Sequence, residues 1–344
     1  MIAAPRSGSG KTMVTCGILE LLKRKQKNPF SYKCGPDYID GLFLRKVLGI
    51  EGGNLDSFFE RPEDMRKKLM NISKDHFPVI EGVMGYFDGL GGDTTAASSW
   101  EVADILDLPV VLVVDAKGAS LSLAALIKGF QAFKGEARSF QGDKNGNHIQ
   151  AVILNRISPM LYPRIKAVIE KETGILVAGY VPELDFWQVG SRHLGLVLEN
   201  LQGQIRQLGD CLEKTLDVDK LFSLGESAKP LEPEMVAAGC PGQDREAEEN
   251  PYPKPHIRLG IAWDEAFCFY YRDNLEFLEK LGAKIVRFSP VHDKHLPENL
   301  DGLLLGGGYP ELYGKELSEN ASMRASVREL LAQGIPCIAE CGGY

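Results

Sequence analysis

The sequence contains no apolar run approaching the ~18 residues that cross a bilayer, and its N-terminus lacks the charged-then-apolar pattern of a secretory leader. Membrane insertion and secretion are therefore not expected. Its seven cysteines, at positions 16, 34, 211, 240, 268, 337 and 341, form no Cys-x-x-Cys pair and are odd in number. That spacing speaks against a zinc cluster and for a reducing, cytoplasmic compartment. Basic residues are also in deficit: 39 Lys and Arg against 47 Asp and Glu give a net charge of -8. A chain of that sign has no general attraction for nucleic acid or an anionic membrane, so an anionic ligand needs a local basic pocket.

What is present is a 344-residue chain with 44% hydrophobic and 25% charged residues, enough for two ordinary soluble domains with large cores. Strand-like runs at Met1–Ala4, Phe77–Glu81, Pro109–Asp115, Ile149–Asn155 and Ile175–Tyr180 alternate with helical patterns. Helices are expected at Lys11–Arg24, Leu121–Phe133 and Tyr162–Thr173. This is the pattern of a parallel α/β sheet. A Pro-, Gly- and Glu-rich stretch then reads as a linker over 225–256, separating a first domain at 1–224 from a second at 257–344. In the second, strands are expected at Ile257–Trp263, Lys284–Ser289, Leu300–Leu305 and Ile335–Glu340, with helices at Tyr271–Leu281 and Met323–Gln333. The short lead-in to a central strand at Met1, and a last strand with no helix after it, give the expectation that both ends are clipped.

The segment Ala4-Pro5-Arg6-Ser7-Gly8-Ser9-Gly10-Lys11-Thr12 follows a short apolar strand and opens an amphipathic helix. That is the setting of a phosphate-cradling loop, in which small residues turn backbone N–H groups inward at a helix N-terminus. Ser7, Gly8, Ser9 and Gly10 would line the cradle, Lys11 would reach the β- and γ-phosphates of ATP, and the Thr12 hydroxyl would reach Mg²⁺. Pro5 stands where the strict pattern has glycine, so this is a variant loop. Arg6 occupies the place of the signature lysine of partition-type ATPases.

Magnesium-dependent phosphoryl transfer needs carboxylates at the carboxyl ends of neighbouring strands. Glu81 ends an apolar strand ahead of a Gly-rich turn, with Asp88 seven residues on. Upstream, Lys33, Asp37 and Asp40 surround a Gly-Pro corner, and Asp56 follows Asn54-Leu55. Asp115 and Asn155, each ending a strand, are weaker candidates, the latter as a partner for a purine.

In order, SGSGKT, KCGPDYID, NLDSF, VIEGVMGYFDG and RHLGLV resemble the synthetase domain of cobyrinic acid a,c-diamide synthases, which is similar to dethiobiotin synthetase. Beyond the linker, DEAFCFYYRDNLE, FSPVHD, LGGGYPELY and AECGGY resemble the class I glutamine amidotransferase domain of the same family. The resemblance implies a P-loop parallel-sheet domain followed by an incomplete flavodoxin-like glutaminase domain. It implies ATP- and glutamine-dependent amidation of the a and c carboxylates of cobyrinic acid through acyl phosphates, with ATP, a cobalt-containing tetrapyrrole and L-glutamine or ammonia as partners. It further implies Thr12, Asp56 and Glu81 as the Mg²⁺ shell, and Lys33 as the group that neutralises the carboxylate or transferring phosphoryl. Asp37, Tyr38 and Asp88 would be substrate-side residues, and Arg192 and His193 anchors for other carboxylates.

In the second domain the resemblance points to Cys341 as the nucleophile on a strand-turn-helix elbow, and to Gly307, Gly308 and Tyr309 as the oxyanion and glutamine loop. The six histidines all precede Cys341, whereas the family's general base lies downstream of it. The chain as written is therefore expected to hydrolyse glutamine poorly and still to use ammonia. His292 and His295 read as structural. Three alternatives stay open: cobyric acid synthase, a synthase acting on a Ni-sirohydrochlorin-type tetrapyrrole, and, from another class, a partition-type regulatory ATPase supported by Arg6. A homodimer is left open as well.

Overall fold

The computed structural model describes residues 1–37, 39–133, 147–187, 201–231 and 256–344, with residues 39–43 described by backbone alone. The described residues fall into two compact units, one within Met1–Pro241 and one within Gly242–Tyr344.

The first unit is built on seven strands: β1 (Ile2–Ala3), β2 (Pro29–Cys34), β3 (Gly52–Leu55), β4 (Phe77–Glu81), β5 (Val110–Asp115), β6 (Ile149–Asn155) and β7 (Leu176–Val181). They pair in the order β3-β2-β4-β1-β5-β6-β7, and every pairing is parallel. Burial on both faces explains why β5 reads as an unbroken apolar run. Its alternate residues serve two cores: Val110, Leu112 and Val114 on one face, Val111 and Val113 on the other. The first face is covered by helices α3 (Pro62–Ile72), α4 (Ser99–Ile105), α5 (Ser122–Ala132) and α6 (Tyr162–Thr173). The second is covered by α1 (Lys11–Arg24), α2 (Ile39–Leu48), α7 (Leu201–Thr215) and α8 (Val218–Glu226).

Strand order reverses at β1, flanked by β4 and β5, so the loop leaving β1 sits at the topological switch point where α/β sheets bind ligands. Parallel pairing brings Asp56, Lys33, Glu81, the β1–α1 loop, Asp115 and Asn155 to the same end of the sheet.

The second unit contains a parallel sheet of order β10-β8-β11-β13, from β8 (Ile257–Ala262), β10 (Ala283–Phe288), β11 (Gly302–Leu305) and β13 (Cys337–Ala339). An antiparallel pair, β9 (Phe267–Phe269) with β12 (Gly307–Gly308), accompanies it. Its core gathers Ala262, Phe288, Leu300, Leu303 and Met323.

Strands β2 and β3 are absent from the sequence expectation. β2 opens on Pro29 but alternates, with Phe30, Tyr32 and Cys34 in one core between Ser31 and Lys33, so its strand character is present in the sequence; β3 is four residues with two glycines and shows no apolar period. β9 and β12 escape for a similar reason. The last strand, Cys337–Ala339, is shorter than Ile335–Glu340: Pro336 has no N–H to give the ladder, although its carbonyl accepts from the Leu303 N–H, and the Glu340 N–H bonds across to the Leu305 carbonyl just past the last paired residue.

Candidate active site

The loop between β1 and α1 has the backbone of a phosphate cradle. Gly8 (φ 76°) and Gly10 (φ 100°) lie in the left-handed region, and Gly10 caps α1 without any side-chain hydrogen bond. The first N–H groups of α1 are thus left to a ligand rather than to a capping side chain. Gly10 is required for a second reason: a Cβ there would collide with the Asn155 side-chain nitrogen. Asn155 Nδ2 donates to the Ser9 carbonyl at 2.8 Å, and Ser9 Oγ donates to the Arg6 carbonyl at 3.0 Å. Ser9 is buried, while Ser7 and Gly8 are exposed.

Behind the loop lies a buried polar cluster. Lys33 on β2 stands opposite Glu81 on β4, and Ile2 of β1 is also in register with Glu81. Glu81 Oε1 accepts from Thr12 Oγ1 at 2.6 Å and from Lys33 Nζ at 2.7 Å. The side chains of Glu81 and Lys33 are only 3% and 12% exposed. Lys11 Nζ donates to the Met84 carbonyl, on the turn after Glu81. Burial pushes Lys11 down to about 8, with the Glu81 carboxylate opposing the shift, Lys33 adding to it and Asp88 opposing it. Asp88 Oδ2 accepts from the Gly85 N–H at 2.9 Å. Lys11, Thr12, Lys33, Glu81 and Asp88 therefore converge.

Asp56, buried at the end of β3, stands apart from that contact set. Its Oδ1 accepts from Phe58 N–H at 2.9 Å, and its own N–H donates to Glu60 at 3.1 Å. Asp37 is held through its backbone, with its carbonyl accepting from Asn54 Nδ2 at 3.1 Å. Tyr38, Arg192 and His193 lie outside the described residues. Among the described residues no group of three His, Cys, Asp or Glu side chains is placed to hold a metal by itself. The donors Thr12 Oγ1 and Glu81 Oε1, hard oxygens in contact, nevertheless suit Mg²⁺, which fills the rest of its octahedron with water and phosphate.

Asn155 is placed beneath the loop rather than beside an open pocket, and its Oδ1 is buried without a hydrogen-bond partner. Asp115 is engaged by Arg156 Nε at 2.9 Å and by Arg6 at 3.2 Å. Burial alone would raise its pKa, but hydrogen bonds from Arg156, the Lys117 N–H and Arg6 hold it below the usual carboxylate range. Arg6 is thus paired within its own chain.

One participant has no sequence signal. Ser99 Oγ, near the start of α4, accepts from the Val83 N–H at 2.8 Å and donates to the Val83 carbonyl at 3.0 Å. It clamps the turn that carries Met84. In the sequence it reads only as a helix-start serine beside Ser98, which is the N-cap.

In the second unit, Cys341 follows β13, is exposed, and has φ 52°. A left-handed non-glycine residue directly after a strand is a strained turn of the kind on which a nucleophile can be displayed. Its sulfur would lie 3.4 Å from a Cβ built on Gly307, so β12 packs against the thiol. The residues Cys341–Gly343 form a 3-10 turn. The Tyr309 N–H donates to the Ala266 carbonyl at 2.9 Å. His292 Nε2 lies 2.6 Å from Glu265 Oε1.

Residues 1–197 match the family described as the CobQ/CobB/MinD/ParA nucleotide binding domain, and residues 258–344 match the CobB/CobQ-like glutamine amidotransferase domain. The class is thus a P-loop nucleotide-binding domain joined to a glutamine amidotransferase domain. Over 350 aligned positions the chain is 39% identical to the cobyrinate a,c-diamide synthase of Caldanaerobacter subterraneus subsp. tengcongensis, and over 347 it is 39% identical to that of Clostridium tetani. Each alignment covers 100% of this chain and 72% of the relative. The Listeria innocua protein of the same name is 38% identical, with 73% of its length covered. The chain belongs to the cobyrinate a,c-diamide synthase family.

Proposed function

We propose that this chain amidates the a and c side-chain carboxylates of cobyrinic acid, with ATP as the activating substrate, in cobalamin biosynthesis. The observation that carries the reading is the convergence of Thr12 and Lys33 on one buried oxygen of Glu81 beside the phosphate loop. A carboxylate is a poor electrophile at neutral pH. Its oxygen attacks the γ-phosphorus of ATP, the bond to the β-phosphate oxygen breaks, and an acyl phosphate and ADP result. Ammonia then attacks the acyl carbon and expels inorganic phosphate, and the amide nitrogen loses its surplus proton to solvent.

The chain's own residues serve the first step by position and charge. Lys11 and the loop N–H groups draw negative charge from the β- and γ-phosphates. Lys33, a point charge held by Glu81, faces the carboxylate as charge builds on the transferring phosphoryl. Asp37, Tyr38 and Asp88 orient the substrate side, with Arg192 and His193 as anchors for other rim carboxylates. Asn155, proposed on the nucleotide side, fixes the loop through its hydrogen bond to the Ser9 carbonyl. Thr12 and Glu81, with Asp56 from the end of β3, two strands away from β4, would hold Mg²⁺, which neutralises phosphate charge when bound.

Ammonia is drawn from glutamine at Cys341, flanked by Gly307 and Gly308. Among the described residues His292 is engaged with Glu265, and it is not assigned a role beside Cys341. We assign residues 1–224 to the synthetase portion, 225–256 to the linker and 257–344 to the amidotransferase portion. Cys16, Cys34, Cys211, Cys268, Cys337 and Cys341 are free thiols, and no described helix is long and apolar enough to cross a membrane. Both observations support a cytoplasmic setting.

The deciding assay incubates the chain with ATP, Mg²⁺, ammonium and cobyrinic acid. ADP should appear with the mono- and diamide, and hydroxylamine in place of ammonia should give a hydroxamate. ADP release indifferent to cobyrinic acid, but rising with protein concentration, would instead support a regulatory ATPase.

A further inference from the structure

Large apolar side chains stand in water around the phosphate-transfer site. Phe58 and Phe59 are 59% and 72% exposed, with their rings edge to face at a centroid distance of 4.9 Å. Met84 and Leu90, on the segment after β4, are 45% and 48% exposed. Two of them bond through the backbone to charged residues, and Phe59 packs on Phe58. The Phe58 N–H donates to Asp56 Oδ1, the Met84 carbonyl accepts from Lys11 Nζ, and Leu90 follows Asp88 by two residues. The strand end that carries the phenylalanines is fastened to the Asp37 segment, since Asn54 Nδ2 donates to the carbonyls of Gly35 and Asp37 at 2.8 and 3.1 Å.

We infer that Phe58, Phe59, Met84 and Leu90 form an apolar platform that receives the body of the tetrapyrrole while one rim carboxylate reaches Lys33 and Lys11. The inference rests on the substrate proposed above. A corrin is a broad, largely apolar macrocycle with its carboxylates on the rim. The phosphate-transfer cluster alone would hold the acid group and leave the ring in water. Lys11 is buried and Lys33 largely so, while the four apolar side chains are exposed, the division of charge and hydrocarbon that such a ligand presents in complement. Rigid aromatic side chains suit the purpose, because they give contact area with little freedom to lose and favour offset or edge contacts with a π-system. A cluster of this kind beside a polar site is a ligand surface more readily than an accident of exposure.

The test uses the full chain as Phe58→Ala/Phe59→Ala and as Phe58→Tyr/Phe59→Tyr. Cobyrinic acid binding is read from the change in the corrinoid absorption spectrum, and nucleotide binding from a fluorescent ATP analogue. The alanine pair should weaken corrinoid binding about tenfold or more, the tyrosine pair should restore most of it, and nucleotide affinity should stay put in both. If the alanine pair loses nucleotide binding as well through misfolding, Phe59→Ser at the more exposed ring carries the same expectation. Wild-type corrinoid affinity in the alanine pair overturns the platform. So does a defect confined to glutamine-supported amidation with the ammonia-supported rate intact, which would seat the phenylalanines against the amidotransferase unit. A wild-type chain that binds ATP yet leaves the cobyrinic acid spectrum unchanged would sink the substrate assignment itself, a distinct failure.

Discussion

Glu81→Gln is the substitution that most sharply probes the buried cluster. At the 2.7 Å separation of Lys33 and Glu81, and with an effective dielectric of about 20, the Coulomb attraction is roughly 6 kcal/mol. Much of that offsets the cost of taking both charges out of water. Glutamine keeps an acceptor for the Thr12 hydroxyl but removes the buried carboxylate that faces the Lys33 ammonium, and breaking a buried pair in this way typically costs about 3 kcal/mol. The second consequence falls on Lys11, whose proton Glu81 helps to retain against burial. Lys11 is a base with its pKa lowered to about 8, so it is charged below that value and loses its proton as pH rises through it. For the wild-type chain, kcat/KM for ATP should accordingly fall above about pH 8. In Glu81→Gln the supporting charge is gone, so the fall should begin at lower pH, and the rate at pH 7 should drop on the order of a hundredfold. The assay is corrinoid-dependent ADP release from pH 6 to 9, alongside a thermal unfolding midpoint for each protein. A variant with wild-type rate and an unmoved upper limb would refute the placing of Glu81 at the centre of the chemistry.

Gly10→Ala forces a Cβ into the Asn155 amide at a left-handed φ; nucleotide affinity measured by titration should fall by at least an order of magnitude, since the loop must shift. Ser99→Ala strips both hydrogen bonds from Val83 and should lower stability by about 1–3 kcal/mol. Because Ser99 acts only by positioning the turn, it should also lower kcat while leaving KM for cobyrinic acid near wild type, a split that packing loss alone would not produce. Cys341→Ser should abolish whatever glutamine-supported amidation the chain has and spare the ammonia-supported rate, measured as diamide formed with each nitrogen source.

The readings that succeeded rest on periodicity or on a rigid chemical pattern. Lys11–Arg24 and Tyr162–Thr173 were legible as helices to the residue, because each pairs an amphipathic stripe with a clear start. The phosphate loop was legible because few functions need small residues, Lys and Thr together at a strand-to-helix turn. Thr12, Lys33 and Glu81 are far apart in sequence and could be joined only through a family resemblance. What unites them physically is the β2–β4 register, which no local pattern encodes, although the alternation of Phe30, Tyr32 and Cys34 marks β2 itself as a strand.

The same reasoning explains why polar details are less legible than apolar ones. The Tyr309 N–H is taken up by a backbone hydrogen bond to Ala266, beside β9, a three-residue strand with no periodic signal. Asn155 is a related case: its strand-end position was readable, but its turn toward Ser9 is fixed by the absence of a Cβ at Gly10. A single missing methyl group lets β6 support the phosphate loop from below, and so couples the order of the nucleotide cradle to a residue more than a hundred positions away. Apolar burial sets where each strand ends; the polar chemistry at those ends is then decided by which neighbours the sheet order supplies.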